Sequence, residues 1–99
     1  MDLDFAIEQL FATGWSALDT TGCEYHQGRC SPGLGRVMRE FAASGVDLSL
    51  RKVDLFDCYR AEWCDASGRA LGGVVGRTET EAAVYALAMF RRATQAVTA

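Results

Sequence analysis

Basic residues are missing from the first quarter of the chain: residues 1–24 contain Asp2, Asp4, Glu8, Asp19 and Glu24 but no lysine or arginine. Lysine is scarce everywhere. Lys52 stands alone beside the arginines, which are scattered along the chain and not gathered into a patch. Nucleic-acid binding leaves a basic footprint, so this distribution argues against that class. No apolar run approaches the ~18 residues that a membrane-spanning helix needs. Acids also stand where a signal peptide would have its basic n-region, and the expected compartment is therefore the cytoplasm. Proline is confined to Pro32, and there is no repeat or low-complexity tract. For 99 residues, 49% of them apolar, the expectation is one α+β domain spanning residues 1–99.

What is present falls into helix and strand patterns. Leu3, Ile7, Leu10 and Phe11 lie at i, i+4, i+7 and i+8, with Asp2 as a cap and Gly14 as the stop, which predicts a short amphipathic helix. In SPGLGRVMREFAASG, Ser31 is placed to cap and Pro32 suits the first helical position. Leu34, Val37, Met38, Phe41 and Ala42 then form one stripe, and Gly45 ends it. For the last helix Thr78 and Glu81 make a capping box and Ala83, Ala86, Leu87, Phe90 and Ala93 line one face. Arg91 and Arg92 complement its C-terminal dipole.

Between these helices VDLSLRKVDLFDCYRAEWCDASGRALGGVVG alternates as strands do, and DASGR is a turn that pairs YRAEW antiparallel with ALGGVV. Tyr59, Ala61 and Trp63 share the expected core face; Cys58, Arg60, Glu62 and Cys64 share the other. Leu48 and Leu50 are out of phase with Val53 and Leu55, which predicts a bulge or turn near Arg51 and Lys52. The expected fold is thus a three-stranded antiparallel β-sheet packed against helices and preceded by an extra N-terminal helix, in the order α-α-β-β-β-α.

A helix, three antiparallel strands and a helix entered through GVVGRTETEAAVYALAMF resemble the double-stranded-RNA-binding domain over residues 33–92. The resemblance implies an α-β-β-β-α topology. That family opens its last helix with lysines that straddle phosphates, whereas Glu79, Thr80 and Glu81 occupy those positions here. The RNA-contact residues are unmatched, so a degenerate domain of this kind stands only as an alternative to the readings below.

The stretch GCEYHQGRC sets Cys23, His26 and Cys30 at a spacing compatible with zinc, but a closed structural site needs four ligands. The fourth is Cys58 or Cys64 and not both, because six residues of extended strand span about 20 Å. A Cys23–Cys30 disulfide and a cysteine–histidine nucleophile pair are the other chemical readings. A reducing compartment keeps thiols free, and no third group orients the pair. The expectation is a structural loop bridging the first two helices, with no cofactor and no enzymatic activity. LGGVVGRT is not a dinucleotide motif, since no strand follows the final helix. Gly72 and Gly73 are expected to let a helix or a neighbouring backbone come close.

These observations favour a small non-enzymatic protein-binding module, an adaptor or inhibitor whose partner presents a basic surface. A phage or mobile-element inhibitor of a nucleic-acid-handling complex, as anti-CRISPR proteins are, is one concrete version. The competing class is a zinc-binding or thiol-redox protein built on Cys23, His26 and Cys30. The expected partner-binding residues are Asp2, Asp4 and Glu8, on the free face of the first helix, and Trp15 as an exposed anchor. Glu79 and Glu81 are placed to stand in for phosphates against a basic partner.

Overall fold

Apolar spacing at the N-terminus resolves into a helix, α1 (Leu3–Ala12), which Gly14 ends with a positive φ of 85°. This is a computed structural model that describes residues 3–16, 20–26 and 28–98. The expected cap Asp2 lies outside the described residues. Ala6, Ile7 and Leu10 are buried, and Leu3 and Phe11 pack against them half-exposed.

The stretch expected to be a loop is a β-hairpin. β1 (Cys23–His26) pairs antiparallel with β2 (Arg29–Pro32), Cys23 standing opposite Pro32 and His26 opposite Arg29. This pairing takes Ser31 and Pro32 out of the following helix. α2 (Leu34–Ala43) starts after Gly33, which is extended, offers no side-chain cap, and donates its N–H to the Gly22 carbonyl at 2.9 Å. A Cβ at Gly33 would sit 3.0 Å from that oxygen, so a larger residue there would press on the backbone entering the hairpin. Val37 and Phe41 are the buried residues of α2, whereas Met38 and Ala42 face solvent. α2 packs against α3, β3 and β2, and Leu34 of the expected stripe is partly buried against the core beside Val37 and Phe41.

The main sheet has the order β3 (Asp47–Val53), β4 (Cys58–Cys64), β5 (Ala70–Gly76), all antiparallel. No bulge interrupts β3 at Arg51 and Lys52. It runs straight through with Leu48 opposite Trp63 and Leu50 opposite Ala61, so Val53, opposite Cys58, falls on the other face, and a 3-10 turn over Asp54–Phe56 follows the strand. The irregularity sits in the other seam, at Trp63 and Cys64 against β5. Ala61 and Trp63 are buried on the core face with Tyr59 half-buried beside them.

α3 (Glu79–Thr98) lies between α1 on one side and β4 and β5 on the other. A helix covered on two sides buries more than one face, so Ala82, Val84 and Ala88 are buried alongside the expected Ala83, Ala86 and Leu87. Alanine lets the layers come close. At Gly76 the approach is closer still, since a Cβ there would fall 2.7 Å from the Ala82 nitrogen. Gly72 and Gly73 have a different role from the one expected. The Trp63 indole lies over Gly72 and the Arg60 guanidinium over Gly73, so side chains and not a backbone occupy the space. Arg91 and Arg92 stand inside α3, not in its last turn, because the helix continues to Thr98.

Candidate functional site

Side chains alternate along a strand, and the pairing of Cys23 with Pro32 and of Tyr25 with Cys30 puts Cys23 and Cys30 on one face of the hairpin. The side chain of His26, the third residue proposed for zinc, lies outside what the structure describes. Cys58 and Cys64 stand at opposite ends of β4. Among the described residues no group of three His, Cys, Asp or Glu is placed to hold a metal ion, and all four cysteines are free thiols.

Cys23 is half-buried. Burial pushes its thiol pKa up, and its hydrogen bond with Cys30 and the neighbouring charges of Cys30 and Glu40 push the same way; only the Arg36 guanidinium opposes them. A raised pKa leaves little thiolate, the wrong direction for a nucleophile. Arg36 is instead a structural tie. It donates to the Thr21 carbonyl at 2.7 Å, to the Cys23 sulfur at 3.6 Å and to the Glu40 carboxylate at 3.0 Å, joining the hairpin to α2.

The acidic N-terminal face is reduced in the same way. Asp2 lies outside the described residues, and Asp4 forms an ion pair with Arg29 of the hairpin at 3.8 Å. Glu8 is exposed. Trp15, expected as an exposed anchor, is buried at 4% exposure. Its ring meets Phe11 edge-on, its indole N–H donates to Glu40 at 3.0 Å and Arg36 lies over its face, so Trp15 is a core residue with a satisfied polar edge. Glu81 is also buried: it accepts the Arg77 N–H at 2.6 Å while its own N–H is bound by the Thr78 hydroxyl at 3.0 Å. The Thr78 half of the expected capping box is thus formed, while the Glu81 carboxylate returns to the N–H of Arg77, one residue before the cap, and Glu81 is removed from the surface. Glu79 alone of that pair is exposed.

Tyr25 of the first hairpin is 78% exposed, and two adjacent large apolar side chains of comparable exposure lie elsewhere. In the turn joining β3 to β4, Leu55 is 84% exposed and Phe56 73% exposed. Asp54 and Asp57 flank them, so the tip reads Asp-Leu-Phe-Asp. Asp57 adopts a left-handed conformation with φ 49°, its N–H returns to the Asp54 carbonyl at 3.3 Å, and Lys52 approaches its carboxylate at 4.0 Å. The turn is thus defined by its own backbone and mounted on two seven-residue strands, which hold an apolar pair outward between carboxylates. Strand phase had grouped Leu55 with Val53. The available signal was an apolar dipeptide enclosed by aspartates, a composition suited to a turn and not to a buried strand.

Two shallow clefts flank Phe90. One of about 340 Å³ is lined by Glu40, Ser44, Leu87 and Arg91 between α2 and α3, and one of about 250 Å³ is lined by Trp63, Leu71, Ala93 and Thr94.

No family model matches the chain, and neither a curated protein nor a solved structure matches it. The order α2, β3, β4, β5, α3 is one that unrelated small α+β proteins share, and by itself it assigns the chain to no family.

Proposed function

We propose that this chain is a small non-enzymatic protein-binding module, an adaptor or inhibitor, that docks through the tip of its β3–β4 hairpin. The observation that carries the reading is the outward pair Leu55 and Phe56, because burying an aromatic and an aliphatic anchor in a partner's pocket is how compact interfaces concentrate their binding energy. Asp54 and Asp57 beside them select the partner: an apolar cleft with a basic rim. The same carboxylates disfavour an anionic membrane surface. The raised pKa of Cys23 supports a binding role over a thiolate-based one.

The test is affinity capture from the cell that makes the protein, comparing the wild type with a Leu55→Ser, Phe56→Ser double variant. A specific partner held by the wild type and lost from the variant is the expected result. With that partner purified, Asp54→Asn with Asp57→Asn should slow association and weaken its salt dependence, since rim charges act chiefly on the on-rate. Equal capture by the wild type and the Leu55, Phe56 variant would rule out the tip as the docking element.

A further inference from the structure

The main sheet has two edges, and they are built differently. The β3 edge carries Asp47, Arg51 and Lys52, the charged residues with which sheets discourage pairing to another strand. The β5 edge carries none: over ALGGVVG there is no charge and no proline, and β5 pairs with β4 on one side only. Its glycines are nonetheless covered. The Trp63 indole seals Gly72 on the core face and the Arg60 guanidinium seals Gly73 on the outer face, so the strand is held extended while its outer hydrogen-bonding groups stay open.

We infer that β5 is a self-pairing surface and that a second copy of this chain docks there antiparallel, joining two three-stranded sheets into one of six strands. The residues beyond the irregularity at Trp63 and Cys64 fit a two-fold axis. Around Val74, the run GGVVG sets Gly72 opposite Gly76, Gly73 opposite Val75 and Val74 opposite itself. Each valine then meets a glycine or its own equivalent, and no bulky or charged pair is forced together. Apolar surface lies at the same edge. Leu71 and Val75 are 46% and 44% exposed, and the cleft between β5 and α3 is lined by Trp63, Leu71, Phe90 and Ala93. A strand added by a second copy covers that surface with like residues and satisfies the open backbone groups of both copies at once.

Sedimentation equilibrium of the full chain tests this, with Val75→Lys as the variant. Val75 lies on the solvent face of the sheet, so lysine there leaves the fold intact, as circular dichroism will check, while placing a charge on the pairing edge. The wild type should sediment at twice the 10.8 kDa of one chain and the variant at the single mass. In hydrogen exchange, the β5 amides not bonded to β4 should be protected in the wild type and exchange freely in Val75→Lys. A wild type that is monomeric at every micromolar concentration, or a dimer whose outer β5 amides exchange freely, would overturn the inference.

Discussion

Asp65 shows how one side chain sets a turn. Its Oδ1 accepts from the Ser67 hydroxyl at 2.6 Å and from the backbone N–H groups of Ser67 and Arg69, both at 3.0 Å, closing the β4–β5 connection. The Ser67 hydroxyl and then the Arg69 N–H hold the carboxyl below its usual range, and the hydrogen bond from Arg60 does the same for Glu62. Both groups are more acidic folded than unfolded. Their contributions are therefore complete above the unfolded pKa and are lost as pH falls through the folded one. Denaturant unfolding should show stability level near neutral pH and declining below about pH 4. Asp65→Ala should lower the neutral-pH stability and flatten that decline. A decline of unchanged size in the variant would place the pH sensitivity elsewhere.

At the scale of elements, α3 organises the molecule by contacting both α1 and the sheet, and its arginines bind α1 at a distance in sequence. Arg91 donates to the Thr13 hydroxyl at 2.8 Å and to the Thr13 carbonyl at 3.3 Å, Gln95 donates to the same carbonyl, and Arg92 reaches Gln9 at 2.6 Å. The cations expected to complement the C-terminus of α3 instead satisfy the C-terminal end of α1, where carbonyls lack helical partners. Replacing Arg91 with Met keeps the aliphatic stem and removes the donors. It should cost about 1.5–3 kcal/mol, the range for a hydrogen bond involving a charged group. Amide exchange should rise in α1 before it rises in the sheet; a uniform rise would mean that Arg91 supports the fold generally and does not cap α1.

Taken as a whole molecule, the core and the binding tip should separate cleanly. Leu87, buried between layers, should cost about 2–5 kcal/mol when changed to Ala. The Leu55→Ser, Phe56→Ser variant should stay within about 0.5 kcal/mol of the wild type, as substitutions at exposed positions do. Urea unfolding of both measures the contrast, and a tip variant as damaged as Leu87→Ala would make the tip part of the core. The sequence by itself determined the three helices, the pairing of YRAEW with ALGGVV and the face shared by Ala61 and Trp63, because apolar periodicity and turn composition are local properties. It did not disclose that Trp15 and Glu81 are buried, that Asp4 meets Arg29, or that Leu55 and Phe56 point outward. Each of these depends on which surface a distant segment covers: Glu40 and Arg36 over Trp15, and for the β3–β4 tip no covering segment among the described residues. The hairpin from Cys23 to Pro32 stayed hidden for the same reason, since its strands are four residues each and α2 packs beside the second of them. Periodicity over so short a run is too weak to read, and only tertiary packing decides it.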